Sequence, residues 1–323
     1  RSRGLGDVYK RQACTVLGDG SRGNYAGVAP EAELYFQAME NDNSGNFQWA
    51  SINNMLNTAY SNNARIHTNS WGSSSSSDWG SYTSSSEDVD DRTRYYDQYY
   101  SGREGLVVLF AAGNDGPDSD TIGSPATAKN PITVGNSQNR YQGAPNSIMD
   151  GSSRGPVDDG RIKPEIVAPG VLICSARAQE ATLVDGQSCS GLTHDDGTTP
   201  LYVAMNGTSM ATPVVAGASA LVRQFLRAEG ISEPRSDLIR AILINGAVDI
   251  GDSNVPNPSE GWGRLSLDNS LFPVSENGVE MDVMYDYSRE LFPGHGFTYT
   301  FDVSPGAGLD ATLAWNCLLY TSD

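Results

Sequence analysis

Apolar residues recur at steps of three and four over Val215, Ala218, Leu221, Val222, Phe225 and Leu226, which predicts a buried amphipathic helix. Gly230 closes that run as a C-cap, and Pro213 stands within about its first turn, where a missing amide costs little. Ile52, Met55, Leu56, Ala59 and Tyr60 repeat the period, as do Leu238, Ile239, Ile242 and Leu243 behind a capping Ser236. A further helix is expected over 89–100. Between the helices lie apolar runs without that period. Residues 106–112 are unbroken, as in a central parallel strand buried on both faces; 132–135 is a shorter run. Segments 33–38 and 65–69 also read as strands, the second ending in a turn at 70–72. Strands alternating with helices at this pitch predict a doubly wound, mostly parallel α/β sheet. Beyond about residue 273 the period becomes two, in 281–285, 297–303 and 311–315, which predicts the start of an antiparallel β-sandwich. The stretches 41–46, 73–91 and 175–201 read as polar loops.

Composition changes this picture at the ends. Residues 1–12 hold four basic side chains in twelve, and 317–323 breaks off a strand pattern. Both stretches resemble translated adapter sequence. The expected organisation is therefore 1–12 foreign, 13–272 the α/β domain in part, 273–316 the partial sandwich and 317–323 foreign. Aspartate and glutamate outnumber lysine and arginine 39 to 21, a net charge of −18, which argues against nucleic acid and anionic membranes as partners. No apolar run reaches the roughly 18 residues of a membrane span. Such an acidic, Gly/Ser/Asn/Tyr-rich surface suits a secreted protein. Setting aside Cys317 in the tail and Cys14 beside the other junction leaves Cys174 and Cys189, as a disulfide or as two free thiols; the secreted setting favours the bond.

The chemistry centres on the start of the long helix. Ser209 lies at its mouth, where unpaired amides and the positive dipole end favour an oxyanion. A serine beside a helix start is more often a simple cap. Here the full string Asn206-Gly-Thr-Ser-Met-Ala-Thr-Pro-Val-Val-Ala-Gly217 closely resembles the nucleophile motif of the subtilases, the subtilisin-like serine proteases. The segments 27–32, 152–156 and 162–170 are similar to other signatures of that family, and the likeness covers about 17–316. It implies a subtilisin-like fold with Ser209 as nucleophile and Asn114, in Ala-Ala-Gly-Asn-Asp-Gly, as side-chain donor to the oxyanion. It also implies that Ser70, Trp71 and Gly72, with Ala112, Gly113 and Gly123, bind substrate. No charged residue stands at the matching wall positions, so a hydrophobic or broad P1 preference is expected.

A nucleophilic serine needs a base and a group that orients it. The catalytic Asp and His of the family have no counterpart here. His67 lies within a strand, His194 in the polar excursion and His295 in the C-terminal part, none in the family's histidine context. The sequence thus reads as a fragment, inactive by itself, of a secreted and monomeric endopeptidase acting on proteins or peptides. The branch it most resembles is the oxidatively stable alkaline proteases with a C-terminal β-sandwich. No cofactor is expected for the chemistry. The resemblance implies structural calcium, with no ligands assignable. The rival is a non-catalytic subtilase-fold module that binds peptides. An α/β-hydrolase esterase would want a G-x-S-x-G elbow where this chain has G-T-S-M-A.

Overall fold

The structure is a computed structural model. It describes residues 5–23, 25–41, 46–47, 50–98, 105–140, 144–178, 187–189, 191–251, 254–271, 283, 294, 296–302 and 309–316. In chain order the elements are α1 (Leu5–Leu17), β1 (Glu40–Asn41), β2 (Asn46–Phe47), α2 (Ile52–Ser61), β3 (Ile66–Asn69), α3 (Ser84–Gln98), β4 (Val107–Ala111), β5 (Ile132–Ser137), β6 (Ile166–Pro169), β7 (Ile173–Ala176), β8 (Gln187–Ser188), β9 (Tyr202–Met205), α4 (Thr208–Ala228), α5 (Ser236–Asn245) and α6 (Leu267–Leu271).

Four strands in the order β3-β4-β5-β6 make the central sheet, parallel throughout, with Ile66 opposite Val107 and Leu109 opposite Ile132. The unbroken apolar run becomes β4, buried at every position. Its side chains divide by the strand's period of two. Val107 and Leu109 pack with Ala211, Val215, Val222 and Leu226 of α4 and with α5. Val108 and Phe110 pack on the other face with Leu56 and Tyr60 of α2 and with Val89 and Tyr96 of α3. Helices on both faces of a parallel sheet are the doubly wound α/β arrangement. Gly217 lets the 26–29 segment approach α4, since a Cβ there would meet Val28 Cβ at 2.6 Å.

A second, small antiparallel sheet, β7-β9-β8, brackets what the sequence shows as a polar excursion, with β7 at its start, β8 inside it and β9 just after it. Cys174 on β7 and Cys189 just after β8 are disulfide-bonded, with Cα atoms 6.0 Å apart. α1 runs through the expected boundary at residue 12. Arg11 is fully buried, and its guanidinium donates to the carbonyls of Ile173 (3.1 Å) and Val203 (2.7 Å) on the small sheet.

Several expectations need correction. α3 starts at Ser84, inside the stretch read as a loop, because its buried side is polar: Ser86, Asp90, Thr93 and Asp97 are buried at helical spacing. Ser236 is the first residue of α5, not its cap; the cap is Arg235, and Asp97 accepts from the Ser236 amide (3.3 Å) and hydroxyl. Residues 33–38 form no strand, and Leu34 and Phe36 are each 53% exposed. Among the described residues no neighbouring strand offers them a ladder, and a lone strand has no partner for its amides. Likewise 297–302 and 311–315 join no sheet among the described residues; Leu313 and Trp315 lie exposed. Residues 42–45, most of 281–285, His295 and Cys317 lie outside the described residues.

Candidate active site

A cleft of about 260 Å³ opens at the carboxyl ends of β3 and β4, beside the first turn of α4. Ser70, Trp71, Gly72, Ala112, Gly113, Asn114, Gly123 and Ser209 all line it. These eight come from four stretches of sequence. Each strand delivers its residues as it leaves the sheet, the usual place for a binding crevice in an open parallel sheet. Trp71 is set edge-on against Phe110, ring centroids 5.3 Å apart, which fixes that wall to the core. The Ser73 amide donates to the Ser124 carbonyl (2.7 Å), tying the 70–74 wall to the segment that carries Gly123.

Ser209 is the second residue of α4 and half-buried. The residue before the helix is Gly207, whose φ of 136° disfavours any side chain. A Cβ there would also stand 3.2 Å from Asn114 Oδ1. No side chain of residue 207 caps the helix, so its first amide finds an acceptor elsewhere. Thr208 N donates to Asn114 Oδ1 at 2.9 Å, and Thr208 Oγ1 donates to the same oxygen at 3.1 Å. An amide N–H can only donate, so the atom facing it is the carboxamide oxygen. Asn114 Nδ2 is thereby the end left to donate into the cleft. Gly113 takes φ 114° to make this turn, and a Cβ on it would meet Ser153 Oγ at 2.6 Å.

Thr208 is therefore a site residue that the motif alone does not single out. Fully buried, it joins Asn114 to the start of α4. Its signal is present in the G-T-S string, but its role depends on β4 ending beside α4. Ser73, Ser74, Ala111 and Asp115 line the cleft as well. Asp115 is the charged residue among the described lining residues, and it lies outside the wall positions 70–72, 112–113 and 123, which carry no charge.

Among the described residues no histidine lines the cleft. His67 is half-buried between two amides: Asn69 Nδ2 lies 2.9 Å from its Nδ1 and Gln37 Oε1 2.9 Å from its Nε2. Gln37 Oε1 can only accept and Asn69 Nδ2 can only donate, so the ring is the neutral Nε2–H tautomer. Burial holds its pKa down to about 4, against a smaller opposing effect of Asn69. His194 Nε2 contacts the Arg177 carbonyl at 3.1 Å. Neither is placed to take a proton from Ser209, whose Oγ instead lies 3.5 Å from the Ser70 carbonyl. Among the described residues no three His, Cys, Asp or Glu side chains converge to hold a metal ion, so no calcium ligand is assigned.

Known proteins share this architecture. The model of the subtilase family matches residues 10–263. The serine protease AprX of Bacillus subtilis strain 168 is 37% identical over 169 residues, which cover 52% of this chain and 35% of AprX. The chain spans about a third or less of the first curated relatives it matches. The structure of sphericase superposes with a TM-score of 0.55 at 25% identity, over 80% of this chain and 77% of that one. The S218A mutant of the PatA protease domain superposes at 0.60 with 19% identity, over 84% and 81%.

Proposed function

The chain belongs to the subtilase family, a family of serine peptidases, and from that premise we propose that it is the Ser209-bearing part of a secreted serine endopeptidase. Its substrates are protein or peptide chains, held as extended backbone along the 70–72 wall. Trp71, Ala112, Gly113 and Gly123 favour a hydrophobic or broad P1 side chain. Ser209 Oγ attacks the scissile carbonyl, the amine leaves with a proton, and water hydrolyses the resulting ester. Asn114 Nδ2 donates to the oxyanion formed in each step. The observation that supports this reading above all is the bridge through Thr208, which presents an amide donor and a helix-borne hydroxyl to one cleft.

Among the described residues no base stands beside Ser209, and on this reading the chain by itself is expected not to hydrolyse peptides. The test is labelling with a fluorophosphonate. The chain alone is expected to remain unlabelled. Joined to an upstream subtilase segment carrying the aspartate and histidine, it is expected to label and to lose the label in Ser209→Ala. Labelling of the chain alone at Ser209 would reveal a substitute base. A joined form that binds peptide but never labels would favour the peptide-binding module.

A further inference from the structure

Pro213 is the sixth residue of α4, one turn beyond Ser209. In an α-helix the amide of residue 213 donates to the carbonyl of residue 209. Proline has no amide, so the Ser209 carbonyl loses that bond. The expectation that Pro213 costs little near the helix start is therefore incomplete. The helix is already past the positions whose amides are free in any case. The missing donor comes from another part of the chain. Ser70 Oγ donates to Ser209 O at 3.1 Å, across 139 residues of sequence. In the opposite sense Ser209 Oγ reaches the Ser70 carbonyl at 3.5 Å. The adjacent carbonyl, that of Thr208, accepts instead from Thr212 Oγ1 (2.8 Å), within the helix.

We propose that the Ser70 side chain is a positioning residue: its hydroxyl replaces the helix bond that Pro213 removes and anchors the backbone of Ser209 to the 70–72 wall. The purpose follows from where the two ends sit. The wall holds substrate backbone and α4 holds the attacking hydroxyl. A bond between them sets the distance from nucleophile to scissile carbonyl more directly than a bond within the helix, and small displacements at this distance are costly in rate. That the anchored residue is a nucleophile rests on the function proposed above; the anchor itself does not.

Two measurements separate these claims. Ser209-Met210 is the one Ser-Met step in the sequence, so carbonyl-¹³C serine with ¹⁵N methionine isolates the Ser209 carbonyl in the NMR spectrum of the chain as it is. Ser70→Ala is expected to shift that resonance upfield, and Ser70→Thr, which keeps the hydroxyl, to leave it near its original place. Pro213→Ala gives the carbonyl a helix amide and is expected to make it insensitive to Ser70→Ala. In the chain joined to a subtilase segment that carries an aspartate and a histidine, Ser70→Ala is expected to lower kcat about five-fold with KM little changed, the size of one neutral hydrogen bond. That loss should shrink in the Pro213→Ala background. A carbonyl resonance that ignores Ser70→Ala, or strictly additive effects of the two substitutions, overturns the anchor. A resonance that moves while kcat stays constant overturns the positioning role. An inactive joined protein whose carbonyl still responds counts against the proposed function alone.

Discussion

Asn114 has two duties that compete for one side chain. Its oxygen accepts from Thr208 N and Oγ1, and only because that end is occupied does Nδ2 face the cleft. On the function proposed above, Asn114→Ala removes a donor that matters chiefly once the oxyanion has formed. In the chain joined to a subtilase segment that carries an aspartate and a histidine, kcat is expected to fall while KM barely changes. Removal of the equivalent donor from a subtilisin, a relative in the same family, costs about 10²–10³ in kcat, and that magnitude is the relative's own. Steady-state kinetics on a peptide substrate decide the matter. A raised KM with kcat intact would make Asn114 a ground-state contact and its assignment here wrong.

Elements meet through buried polar groups as much as through apolar faces. The end of α3 reaches the start of α5 through Asp97, which also accepts from Asn316 Nδ2 and so binds the 309–316 segment to both helices. Burial, and after it the Asp237 carboxylate, push the Asp97 pKa up from 3.8 to about 7, while Ser236 and Arg235 oppose the shift. Between those two values the folded state keeps a proton that the unfolded state has lost. Stability is therefore fully present below pH 3.8 and declines as pH rises toward 7. Between about pH 5 and 8 that decline is on the order of 2–3 kcal/mol. His67 slopes the other way: with its pKa held down to about 4, its contribution is lost as pH falls from 6.5. Between about pH 4 and 6.5 the two slopes offset each other in the parent, so urea midpoints measured across pH should show Asp97→Asn exposing the rise due to His67. A pH profile unchanged in Asp97→Asn would show that Asp97 carries no such slope.

For the molecule as a whole, the parallel sheet is stabilised from both faces, whereas the small antiparallel sheet relies on covalent support. The Cys174–Cys189 bond closes a loop with a sequence separation of 15 across β7, β9 and β8. On the chain-entropy model closing such a loop contributes about 3 kcal/mol. Denaturant unfolding of Cys174→Ser with Cys189→Ser, against the oxidised parent, should show a loss of that order. Equal stabilities would mean that α1, through Arg11, already holds the small sheet in place. An oxidised bond agrees with the secretion proposed for this acidic chain, with its net charge of −18.

The sequence by itself determined β4 and the helices α2, α4 and α5, because those elements bury apolar side chains and burial of that kind leaves a period in the residue order. It also placed Ser209 at a helix mouth and Asn114 at a strand end, since both lie in short local strings. Tertiary structure alone decided the rest. α3 buries Ser86, Asp90, Thr93 and Asp97, and a polar stripe satisfied by distant amides carries no hydrophobic signal. Residues 33–38 have a strand's composition, yet a strand exists only where another offers its ladder. The bond that orients the Asn114 carboxamide and the bond from Ser70 to the Ser209 carbonyl join atoms 94 and 139 residues apart in sequence. Such bonds form between groups brought together by packing of the sheet, and no local pattern of residues records them.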